Sequence, residues 1–330
     1  MTLKNAITVV LIVLQLQYAS GSAGDGSPFF RECQNECVNK FDCPMSDFAF
    51  GWTQKTCFDC RQTCIWITVA LFHRHGHNTP QFFGKWPFYS ISLSFLQYSI
   101  VIQEPASALF SVLNLAGCLY MFNTLRDKLW NLPGLYNLRL QWLMYAGLGS
   151  LVWIFSTAFH CRDFWLTEYL DYAAASALVF YAFYMSIMLV FGFIRRNYYL
   201  SSATGLAVFY SYSRLVNHLS LSHKFDYGYN MRVCILVSFT TAALYLFYIY
   251  WEYTNARNRE SLKILLQILL ISLGSSAFEL LDFPPILYHQ IDAHSLFHLA
   301  TVPTPFMLTR FALLEDEYRR NRQRLHEKNL

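Results

Sequence analysis

Charge is what this chain of 330 residues has little of: Asp, Glu, Lys and Arg make up 14% of it, against roughly a quarter of an ordinary soluble domain. The shortage speaks against a soluble globule and for a protein solvated by lipid. Basic residues are not concentrated either. Net charge is +4, and Lys and Arg fall in short clusters between apolar runs, so no basic patch exists to hold nucleic acid. What fills the chain instead is 55% hydrophobic and 18% aromatic residues.

At the N-terminus, Lys4 precedes an apolar run from Ala6 to Leu16 and the small-residue stretch Ala19 to Ala23. The run is too short to span a bilayer comfortably. It predicts a cleavable secretory signal over residues 1–23, with an uncleaved anchor as the alternative. Six of the nine cysteines follow, at Cys33, Cys37, Cys43, Cys57, Cys60 and Cys64. Behind a secretory signal they predict a small disulfide-stapled lumenal domain within residues 24–104, in any of about fifteen pairings. Cys57-Phe-Asp-Cys60 as a zinc knuckle is the competing reading. Cys118, Cys161 and Cys234 read as packed thiols. His73, His75 and His77 read as a solvated loop in preference to a metal tract, and Tyr89 to Val101 as an interfacial or re-entrant piece.

Apolar runs at about 106–124, 140–160, 168–193, 199–218, 233–252, 263–281 and 294–313 predict an all-α membrane protein, a seven-transmembrane helix bundle over residues 105–314 with a basic tail at 315–330. A lumenal cysteine domain places the first, third and fifth connections in the cytoplasm. These carry Arg126, Lys128 and Arg139, then Arg195 and Arg196, then Arg257, Arg259 and Lys263, and the tail carries Arg319 to Arg324. Cytoplasmic loops collect Lys and Arg, so signal, cysteines and charge agree on one topology.

Under that topology Ser156 and His160 end the second span, Asp171 begins the third, and His294 and His298 begin the seventh. All five fall in the lumenal leaflet. The four-residue spacing of each pair puts both members on one helix face. Polar groups inside spans are costly and usually face a partner or a water-filled cavity. Three imidazoles, His160, His294 and His298, suit Zn²⁺ with a fourth position open to water. Asp171 would orient that water and Ser156 would sit against the metal or a developing oxyanion; no base is placed to make Ser156 a nucleophile. Polar side chains merely joining helices by hydrogen bonds are the competing reading. Nearby acids are expected in supporting roles: Asp292 as N-cap of the last helix or partner of a ligand imidazole, Glu168 as a cap or pair for Arg162 in preference to a catalytic group, Glu279 and Asp282 behind the ligands or in the turn before Pro284 and Pro285. His218, His223 and His289 read as loop histidines.

At these residues the chain resembles the post-GPI-attachment lipid-remodelling factors, the Per1-like family, within the CREST superfamily of seven-span membrane hydrolases that also holds alkaline ceramidases and adiponectin receptors. The superfamily pattern of Ser and His on one span, Asp on the next and H-x-x-x-H on the last matches Ser156, His160, Asp171, His294 and His298. The narrower resemblance lies in the cysteine domain, Gly84-Lys-Trp-Pro-Phe88, Gln103-Glu-Pro-Ala-Ser107, Ser156-Thr-Ala-Phe-His-Cys-Arg-Asp163, Leu170-Asp-Tyr172, Glu279-Leu-Leu-Asp-Phe-Pro-Pro285 and Asp292-Ala-His294. The stretch from Tyr89 to Ile102 is longer than the family spacing. The resemblance implies removal of the unsaturated sn-2 acyl chain from GPI-anchored proteins, a phospholipase A2-type ester hydrolysis, in a Golgi or ER membrane. Two alternatives stand beside it: a non-catalytic seven-span receptor or structural factor, and a hydrolase of the ceramide amide.

Overall fold

The computed structural model describes residues 22–47, 49–95, 98–130, 136–221, 226–255, 257 and 259–328. All but the last two residues of the predicted signal lie outside them. Among the described residues there are eleven α-helices, one short 3-10 helix at Phe50–Thr53 and one β-hairpin. They divide into two compact units. The first takes the chain up to Leu109 with Ser156–Leu170 and Phe278–Leu296; the second takes Phe110–Phe155, Asp171–Ala277 and Phe297–Leu330.

Helices α1 (Pro28–Phe41) and α2 (Lys55–Arg74) form the cysteine-rich part of the first unit. Cys33 and Cys37 are one turn apart on α1, as Cys60 and Cys64 are on α2. Facing each other in an antiparallel hairpin, such rows can only pair in nested order. The disulfides are Cys33–Cys64, Cys37–Cys60 and Cys43–Cys57, with Cα atoms 5.6, 6.0 and 5.6 Å apart, inside the range an unstrained bridge needs. Cys57 and Cys60 are therefore committed to different partners, which overturns the zinc-knuckle reading. Phe30, Trp52, Ile65, Val69 and Phe82 pack around the bridges, a core too small to hold without them.

The stretch read as interfacial or re-entrant is a hairpin, β1 (Ile91–Phe95) against β2 (Tyr98–Ile102), antiparallel with Ile91 opposite Ile102. Ile-Ser-Leu-Ser-Phe alternates with the period of a strand, and that period decides the element.

Helices α3 (Pro105–Leu129), α4 (Tyr136–Cys161), α5 (Trp165–Val190), α6 (Gly192–Arg196), α7 (Tyr198–Leu221), α8 (Tyr227–Thr254) and α9 (Glu260–Leu281) follow. Among the described residues five segments are long and apolar enough to cross a membrane: Pro105–Leu129, Leu138–Cys161, Trp165–Val190, Tyr227–Thr254 and Glu260–Glu279. Two of the seven expected spans are not among them. The run at 199–218 does form α7, but Ser201, Ser202, Thr204, Ser211, Ser213 and Arg214 dilute it. The run at 294–313 is not one helix. It is α10 (Ala293–Thr301) followed by α11 (Thr304–Lys328), because Pro303 has no N–H to continue the ladder. Val302 N–H turns back to the Leu299 carbonyl, and the His298 carbonyl accepts instead from Asn114 Nδ2 at 2.8 Å and Thr301 Oγ1 at 2.9 Å.

Met121, Leu125, Trp142, Met185, Leu265 and Phe311 form the heart of the second unit's core. Beside it lies a buried ionic cluster. Arg139 holds Asp316 at 2.8 Å, and Glu315, with no exposed surface, accepts from Tyr248 Oη at 2.6 Å, Arg259 and Arg319. Buried charges are tolerable only when paired in this way.

Candidate metal centre

Asp292 starts the local geometry. Its Oδ1 accepts from the Ser295 N–H at 2.7 Å while Ser295 Oγ accepts from the Asp292 N–H at 2.9 Å. This reciprocal cap fixes where α10 begins, and so sets His294 and His298 one turn apart on one face. Of the two roles expected for Asp292, the N-cap is the one its hydrogen bonds perform. Burial pushes its carboxyl above the ordinary range, against the pull of His294 and Ser295.

His160 lies in the last turn of α4 with Ser156 one turn before it, and both are buried. The rings of His160 and His294 are 5.2 Å apart. His160, His294 and His298 each offer a ring nitrogen, and these atoms lie within 4.8 Å of one another, with two of the rings buried and His294 half-buried. The triple expected from sequence is thus brought together.

Each ring is also held from behind. His160 Nδ1 meets Glu104 Oε2 at 2.6 Å, His294 Nδ1 meets Glu279 Oε1 at 2.6 Å, and His298 Nδ1 meets Ser111 Oγ at 3.2 Å. With Nδ1 engaged on all three, Nε2 is the nitrogen each ring offers to a ligand. Three imidazoles of that kind fit a borderline-soft divalent cation with a vacant fourth position.

The remaining candidates are placed as follows. Asp171 sits near the start of α5 and is half-buried. Glu168 reaches Lys85 at 3.5 Å, while Arg162, its expected partner, lies over the Phe58 ring at 4.3 Å. Lys85 also binds Asp163. Burial raises the Asp163 carboxyl against the pull of that lysine. Asp282 accepts from Trp86 Nε1 at 2.8 Å and Gln81 Nε2 at 3.1 Å, a loop role that ties the connector after α2 to the turn before α10. A cleft of about 100 Å³ in the first unit is lined by Arg61, Lys85, Trp86, Gln103, Glu104 and Asp163. Burial brings the Arg61 guanidinium down to about 10, against the nearby Asp47.

Glu104 and Ser111 are the contacts that sequence reasoning missed. Glu104 lies within Gln103-Glu-Pro-Ala-Ser107, where no spacing assigns it a partner. Ser107, Ser111 and Asn114, all buried, follow the i, i+4, i+7 spacing of one face of α3, and that polar stripe in an apolar span was the readable signal.

The Per1-like family model matches residues 44–316. GPI-specific phospholipase A2-like PGAP3 of Mus musculus is 32% identical over 326 residues, 95% of each chain. The protein of that name in Danio rerio is 34% identical over 311 residues, 90% of this chain and 91% of its own. Post-GPI attachment to proteins factor 3 of Drosophila melanogaster is 32% identical over 321 residues, 92% of each. A family model that matches most of the length, together with relatives more than 30% identical over nine-tenths of the chain, places this chain in the Per1-like family.

Proposed function

We propose that the protein remodels GPI anchors, hydrolysing the unsaturated sn-2 acyl ester of GPI-anchored proteins in the manner of a phospholipase A2. The observation that carries the reading is the convergence of His160, His294 and His298 in a chain whose relatives bear GPI-specific phospholipase A2-like names. His160, His294 and His298 would hold Zn²⁺ through Nε2. When bound, such an ion brings the pKa of water to about 7 and polarises a carbonyl oxygen.

The chain's own groups supply the rest. Asp171 orients the water and takes its proton as the new C–O bond forms at the sn-2 carbonyl, then returns it to the departing lysolipid oxygen. Ser156, one turn from His160, stabilises the developing oxyanion. The products are a free fatty acid and the lyso-GPI protein. Helices α7 and the α10–α11 pair complete seven spans over residues 105–314, with residues 24–104 lumenal and the tail at 315–330 cytoplasmic. The site then lies in the lumenal leaflet of a Golgi or ER membrane, where protein-linked GPI lipid also resides.

The test is the His294→Ala/His298→Ala variant in cells lacking the protein. It should accumulate to the normal level, yet leave the unsaturated sn-2 chain on GPI-anchored proteins. Normal remodelling by that variant would sink the mechanism, and free sphingoid base in place of fatty acid would favour ceramide as substrate.

A further inference from the structure

We infer that Glu104 and Glu279 are positioning residues that fix His160 and His294 in the tautomer presenting Nε2 and set how strongly those rings hold a metal. This rests on the metal-site reading above and adds two residues to it. The contacts, 2.6 Å each, are short for a hydrogen bond to nitrogen and mark a charge-assisted pair. A carboxylate accepting from Nδ1–H keeps the proton there, turns the ring to a fixed angle and makes Nε2 a better donor.

Neither glutamate is free to drift. Glu104 gives its own N–H to the His160 carbonyl at 3.0 Å, Gln103 gives its N–H to the Cys161 carbonyl at 3.2 Å, and the Glu104 carbonyl accepts from Ala108 N–H at 3.0 Å in the first turn of α3. One residue thus starts α3, caps one of the orphan carbonyls ending α4 and holds the ring on α4. Glu279 stands near the end of α9 and grips the first histidine of α10, so the connection through Pro284 and Pro285 is closed by a side-chain pair across its two ends. His298 differs. Its Nδ1 partner is the Ser111 hydroxyl at 3.2 Å, a neutral acceptor that strengthens the ring less.

The experiment is Zn²⁺ competition against a chromophoric chelator, using the purified full-length protein in detergent, with Co²⁺ spectra of the same samples. Wild type should take one ion. Glu104→Gln and Glu279→Gln keep shape and hydrogen bonding but lose the charge, and should weaken Zn²⁺ binding roughly 10- to 100-fold and shift the Co²⁺ bands, with the metal-free protein still folded and melting cooperatively. Ser111→Ala should weaken it less. Unaltered affinity in both glutamine variants would overturn the assignment. Wild-type protein that binds no ion would overturn the metal-site reading itself, and the assignment with it.

Discussion

Glu104 binds His160 twice: its backbone N–H meets the His160 carbonyl at 3.0 Å, and its carboxylate meets His160 Nδ1 at 2.6 Å. A single residue thereby fixes both the end of α4 and the orientation of a ring at that end. The glutamate sits immediately before Pro105, whose locked φ favours the first turn of a helix. The start of α3 and the posture of His160 are consequently one structural event.

The same unit contains a charge pair whose removal has a signed consequence. Lys85 binds Asp163 and lies 3.5 Å from Glu168, and burial already raises the Asp163 carboxyl. A carboxyl raised in the folded state lowers stability as pH climbs from its unfolded value through its folded one. Lys85→Met removes the group that opposes this. It should destabilise the protein by about 3 kcal/mol near neutral pH, with the deficit shrinking as pH falls toward the unfolded carboxylate value. Melting curves across pH check it; a deficit that grows on acidification would contradict the pairing.

Disulfide mapping tests the helical hairpin. Digestion without reduction should recover Cys33–Cys64, Cys37–Cys60 and Cys43–Cys57 as linked peptides. The Cys43→Ala/Cys57→Ala pair should lower stability by about 2–4 kcal/mol. Any crossed pairing would rule out antiparallel packing of α1 on α2.

Much of this was legible in the sequence, for physical reasons that can be named. Helical faces repeat every three to four residues, so Ser156 with His160 and His294 with His298 announced themselves by spacing. Cysteine count gave the stapled domain, whereas the pairing needed the knowledge that Cys33 and Cys37 share a face with Cys60 and Cys64 opposite. Apolar runs located the membrane helices, but hydropathy counts side chains and overlooks a missing backbone donor, so the break at Pro303 went unseen. Glu104 was hidden because its partner is distant in sequence, and a lone carboxylate carries no spacing signal.

Orientation can be read with glycosylation sequons placed, one at a time, near His223 and near Arg322. Modification is expected only at the first. The basic clusters at Arg195–Arg196 and Arg257 to Lys263 favour cytoplasmic loops on the other side. Glycan on the tail would invert the topology and move the histidines to the leaflet that lacks protein-linked GPI.

The most direct test of the central claim is fatty-acid release by purified protein from a GPI-anchored substrate carrying an unsaturated sn-2 chain, with and without Zn²⁺. The account predicts one equivalent of free unsaturated fatty acid and one of lyso-GPI protein per turnover, lost on chelation, restored by Zn²⁺, and absent from His160→Ala. Release that persists under complete chelation and in His160→Ala would contradict it. So would a loaded, folded protein that releases none while chelation lowers its melting temperature, since the three histidines would then only brace the helices.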